Sequence, residues 1–153
     1  MIAEFDDLEH SEKELMYSLP IYVAVLIAGA DGKIDNNEIK KAVSISNLKT
    51  TKARKDLIEF YNEVNTDFED KLKMTIANLP SGTKEREKIL TEELSKVNAI
   101  WPRIDSSFAE KLYASLKEIA KHIAEASGGV FGYMSVGYEE AKLIDLKMIK
   151  KPA

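Results

Sequence analysis

Three carboxylates at Asp31, Asp35 and Glu38 stand close enough in sequence to share one hard cation. They belong to Ala30-Asp31-Gly32-Lys33-Ile34-Asp35-Asn36-Asn37-Glu38, which follows the second half of a calcium-binding EF-hand loop. Asp31 falls at the fifth loop position, Gly32 at the sixth, Ile34 at the eighth, Asp35 at the ninth and Glu38 at the twelfth. A hard cation needs several oxygens, a glycine to turn the chain, and a final carboxylate supplied by the next helix. The first half does not follow the pattern. Ile27 and Gly29 stand at the first and third positions and carry no side-chain oxygen. Water must then complete the shell, so calcium or magnesium is expected to bind weakly, helped by the Lys33 carbonyl. A purely structural reading fits the same residues, with Gly32 ending one helix, Asp35 capping the next and Ile34 stapling the turn to the core.

The elements around that loop read as helices. No stretch of strict polar–apolar alternation argues for a strand. A first helix is expected over Glu4 to Tyr17, and Pro20 suits the first turn of a second that runs to Ala30. That second helix is apolar on nearly every side, so it belongs at the centre. Asp35-Asn36-Asn37-Glu38 has capping-box spacing and opens a third helix with an inner stripe of Ile39, Ala42, Val43 and Ser46. From Thr51 to Leu79 the inner positions are Leu57, Tyr61, Val64, Phe68 and Leu72, and Thr66-Asp67-Phe68-Glu69 offers a second cap that would split the stretch. Pro80-Ser81-Gly82 is a turn. A helix over Thr83 to Trp101 stops at Pro102. Ser107-Phe108-Ala109-Glu110 opens the most regular helix, striped by Phe108, Leu112, Leu116, Ile119 and Ile123. After Ser127-Gly128-Gly129 and the loop Val130 to Ser135, a last helix is expected to run through Met148. The sum is an all-α, compact antiparallel bundle of about six to eight helices, forming one domain over residues 1–153.

Composition narrows the function. With 44% hydrophobic and 31% charged residues the chain has an ordinary globular balance. A net charge of −4, from 26 acids against 22 bases, argues against a nucleic-acid partner. Cysteine is absent, which excludes disulfides, thiolate nucleophiles and cysteine-ligated metals. The acidic N-terminus lacks a signal peptide's basic start, and Leu19 to Ala30 is too short to span a membrane, so a cytoplasmic protein is expected. Nucleophilic catalysis needs a base beside a hydroxyl, oriented by a third group. The two histidines, His10 and His122, fall near no such motif, and no enzymatic activity is expected. His122 with Glu118 and Glu125 reads as a boundary histidine, and Asp56, Glu59, Glu63, Asp67 and Asp70 read as a solvated acidic face with partner or metal attraction as the alternative.

Ala-Asp-Gly-x-Ile-x-x-x-Glu behind a buried apolar helix resembles the TerB-like family, the helical domain named for tellurite-resistance proteins. Ile123-Ala124-Glu125-Ala126-Ser127-Gly128-Gly129, followed by Ser135 to Ile144 with Glu139-Glu140, resembles the family's second helix–loop–helix motif. The resemblance implies an all-helical fold with two such motifs and a link to metal or stress resistance. It also implies divalent-metal binding, here by Asp31, Asp35 and Glu38. The second motif departs from the pattern: Ser127-Gly128-Gly129 replaces Asp-Gly, and either Glu139 or Glu140 corresponds to Glu38. The alternative function is a non-enzymatic protein-interaction module whose acidic loop is structural. The apolar residues of the Gly128–Gly137 stretch, among them Phe131 and Met134, favour it unless they pack on the long helix.

Overall fold

The computed structural model describes residues 2–30, 36–52, 55–127 and 143–152. Among them every regular element is helical: α1 (His10–Ala28), α2 (Asn36–Lys52), α3 (Lys55–Asn65), α4 (Phe68–Asn78), α5 (Thr83–Ser95), α6 (Val97–Ile100) and α7 (Ser106–Ser127). Short 3₁₀ turns at Ala3–Phe5 and Trp101–Arg103 precede α1 and α7. The all-α bundle expected from the periodicity is the observed fold.

The central helix is longer than expected. Pro20 lies inside α1 and does not start a second helix. Proline removes one ladder hydrogen bond and crowds the carbonyl four residues back, at a cost of about 3 kcal/mol. Packing outweighs that cost, because α1 is wrapped by α7, α5, α4 and α3 and buries nearly every residue from Met16 to Ala28. Glu9, not the expected region near Glu4, precedes the helix, and its N–H donates to Glu12 Oε1 at 2.9 Å.

The stripes read from the sequence face inward. Leu57, Tyr61, Val64, Phe68 and Leu72 are buried, as are Phe108, Leu112, Leu116, Ile119 and Ile123. The chain takes the split between α3 and α4 at Thr66-Asp67. The cap of α7 is Asp105, whose Oδ2 accepts from the Phe108 N–H at 2.9 Å, so Ser107 lies within the first turn and is not the cap. The last helix does not reach Met148: after Leu143 the chain proceeds through turns. The loop Val130 to Ser135 and the second family-like motif, including Phe131, Met134, Glu139 and Glu140, lie outside the described residues.

One part of the core is aromatic. Near the N-terminal half of α1, Phe60 is ringed by Phe5, Tyr17, Tyr61 and Phe108, with centroids 5.0–6.2 Å apart. Three of those four pairs are edge-on, and such geometry adds about 0.5–1.5 kcal/mol per pair beyond burial. Polar ties stitch the helices around it. Tyr61 and Ser115 share a buried 2.5 Å hydrogen bond between α3 and α7. Ser46 Oγ donates to Asn65 Oδ1, and Asn65 Nδ2 donates to the Ser46 carbonyl at 3.2 Å, joining α2 to α3. No helix among the described residues is long and apolar enough to cross a membrane.

Candidate functional site

The acidic loop hangs from the C-terminal end of α1. The Gly29 N–H donates to the Val25 carbonyl at 2.9 Å, and the Ala30 N–H donates to Ile27 at 3.2 Å, which tightens the last turn. α2 resumes at Asn36, directly after Asp35, and Glu38 is the third residue of that helix. Asp31 and Asp35 lie outside the described residues, as does the side chain of Glu38. Among the described residues, no three carboxylate or imidazole side chains converge as metal ligands would.

One cation does reach the loop's root. Arg86 on α5 is 8% exposed, and its Nη2 donates to the Gly29 carbonyl at 2.9 Å. A positive charge at a helix C-terminus opposes the negative end of the helix dipole and satisfies a carbonyl that the helix leaves without a partner. A cavity of only ≈ 10 Å³ lies between Arg86, Gly29, Ala30, Leu26 and Leu90. That is room for at most one water.

This arrangement limits which atoms could hold a cation. The loop positions without side-chain oxygens, Ile27 and Gly29, could in principle offer their carbonyls. The Ile27 carbonyl already accepts from Ala30, and the Gly29 carbonyl from Arg86. Both carbonyls at the root of the loop are thus already engaged in hydrogen bonds.

Sequence reading missed Arg86, although a signal was present. Arg86, Leu90, Leu94 and Val97 fall at spacings of four, four and three, and all are buried. An arginine in register with the inner stripe marks a charge that must find an internal partner.

The other candidates disperse. Glu59, Glu63, Asp67 and Asp70 are exposed, but the break between α3 and α4 prevents one continuous acidic face. Asp67 pairs with Lys71 at 3.6 Å and Glu69 with Lys73 at 3.2 Å. His122, Glu118 and Glu125 are exposed on α7. His10 lies 3.7 Å from Glu14 on the surface. Trp101 is core, and Tyr113 lies half-buried beneath the Lys117 ammonium at 5.3 Å. A surface hollow of ≈ 380 Å³ between α1 and the α5–α6 junction is bordered by Glu12, Leu15, Glu93 and Lys96. There the Glu93 carboxylate, hydrogen-bonded at 2.8 Å, raises the pKa of the Lys96 ammonium.

Set against protein-family models, curated proteins and solved structures, the chain matches none of them.

Proposed function

We propose that the joint between α1 and α2 binds a divalent cation, calcium or magnesium, through Asp31, Asp35 and Glu38. In this reading the chain is a TerB-like domain that serves metal or tellurite stress resistance and not catalysis. The supporting observation is the register of the helices. α1 ends at Ala28 and α2 begins at Asn36. Asp31 and Asp35 therefore fall between the two helices, and Glu38 is the third residue of the second, as an EF-type loop takes its last ligand from the following helix.

With water completing the shell, the dissociation constant should be on the order of 0.1–1 mM. Calcium and magnesium titrations followed by backbone NMR test this, with shifts confined to residues 30–40 as the expected result. Asp35→Ser separates ligand from cap, because serine caps a helix but carries no charge. It should fold as the parent does and bind at least tenfold more weakly. A parent chain that binds neither ion at millimolar concentration would end the metal reading.

A second reading, a docking module for another protein, draws on two side chains. Met74 on α4 is 63% exposed and Ile89 on α5 is 39% exposed. Such a module would dock its partner on a contiguous apolar patch that includes these side chains.

A further inference from the structure

The hollow of ≈ 380 Å³ between α1 and the α5–α6 junction lies at the opposite end of α1 from the acidic loop. Its volume falls in the range of about 300–1,000 Å³ found for small-molecule sites. One wall is the start of α1, with Glu12 and Leu15. The other is the joint between α5 and α6, with Glu93, Lys96, Ala99 and Ile100. At that joint the ladder tightens. The Lys96 N–H donates to the Glu93 carbonyl and the Ala99 N–H to the Lys96 carbonyl, each at 3.3 Å.

The charges along this hollow are held in place by the protein itself. Glu12 Oε1 accepts the Glu9 N–H at 2.9 Å, and its Oε2 pairs with Arg103, which balances its charge. Glu93 and Lys96 pair with each other: the ammonium donates to Oε1 at 2.8 Å. Both keep capacity for a further partner. An ammonium has three donors and this bond uses one, while the carboxylate has a second oxygen. A positive and a negative group therefore stand side by side at one place in the hollow. The remaining lining, Leu15, Ala99 and Ile100, is apolar.

We infer that this hollow binds a free α-amino acid with an apolar side chain. The ligand's carboxylate takes the open donors of Lys96, its ammonium takes the second oxygen of Glu93, and its side chain lies on Leu15, Ala99 and Ile100. Charge complementarity selects a zwitterion. A simple anion is drawn to Lys96 and repelled by Glu93, and a simple amine meets the reverse. An α-amino acid carries opposite charges on neighbouring groups, so it satisfies both members of the pair at once. Because Glu93 already holds Lys96, little ordering of the protein is left to the binding step. None of these residues belongs to the α1–α2 joint, so the site stands whether or not that joint holds a cation.

The test titrates the full chain with L-leucine and follows its backbone amides by NMR. The expected result is a set of shifts centred on residues 11–15 and 93–100, half-complete at a leucine concentration on the order of millimolar. Two analogues separate the two charges. Isocaproate lacks the ammonium and isoamylamine lacks the carboxylate, and each should bind at least tenfold more weakly than leucine. Lys96→Met should weaken leucine at least fivefold and leave isoamylamine no weaker, a split that a merely structural ion pair would not produce. Ala99→Trp fills the hollow from an exposed helical position, so the leucine shifts should vanish while the helical circular dichroism stays. No shift in these residues at tens of millimolar leucine overturns the site. Equal binding of leucine and isocaproate overturns the zwitterion, and unchanged leucine binding by Ala99→Trp overturns the location.

Discussion

The two ends of α1 meet opposite environments. Its first half packs Tyr17 into a knot of rings drawn from α3, α7 and the N-terminal turn, where shape complementarity does the stabilising. Its last turn meets aliphatic side chains and a buried arginine, and there a single charged hydrogen bond fixes where the helix stops. One end specifies the fold by volume and the other by polarity. The acidic loop grows from the second kind of end, whose position depends on one group.

Substitutions can break that contrast in order of expected effect. Phe60→Ala removes the ring touched by Phe5, Tyr17, Tyr61 and Phe108, and should cost about 3–5 kcal/mol in urea unfolding. Arg86→Met keeps most of the apolar stem but deletes the donor to Gly29. The loss should be about 1.5–3 kcal/mol, the range for a hydrogen bond from a charged group. The same change removes a fixed cation from the root of the loop, so it should tighten calcium binding a few-fold while stability falls. Opposite signs in those two measurements would separate the polar end from the aromatic one, since Phe60→Ala has no reason to strengthen cation binding.

Tyr61→Phe should cost about 1 kcal/mol at neutral pH through the lost bond to Ser115. Its larger signature is in alkali. Burial raises the Tyr61 phenol pKa well above its ordinary value, and burial raises those of Tyr17 and Tyr22 as well. A raised folded-state pKa means that the native chain keeps protons the unfolded chain releases. That contribution is fully present below about pH 10, the unfolded phenol value, and is lost as pH rises beyond it. Unfolding curves at pH 7 and pH 11 should therefore converge partly in Tyr61→Phe. The smallest effect belongs to the surface. Arg103 pairs with Glu12 and donates to the Asp7 carbonyl at 3.2 Å beside the N-terminal turn. Arg103→Ala should cost below about 1 kcal/mol, and less at high salt.

The helices were legible where one periodicity ran long enough to outvote local signals. α7 and the stripe through α3 and α4 are of that kind. Pro20 misleads because its rule is local and the burial that overrides it comes from other helices, which sequence adjacency does not display. Asp105 and Ser107 compete as caps two residues apart, and only backbone geometry chooses between them. Leu146 reads as helical on its spacing but takes a left-handed conformation, in a segment that Asn98 holds from some fifty positions earlier. For the candidate site, spacing exposed the acids and their separation by a turn. It did not expose Arg86, whose relation to Gly29 exists only once α5 has packed on α1.

The central position of α1 also sets an order of events during synthesis. α1 leaves the ribosome before α7, on which it packs most extensively and which follows almost eighty residues later. At about 5–20 residues per second, the apolar run from Leu19 to Ala30 waits on the order of ten seconds for the surface that covers it. During that interval it presents the kind of sequence that holdase chaperones bind, so the yield of folded chain in a cell should follow chaperone supply more closely than equilibrium stability.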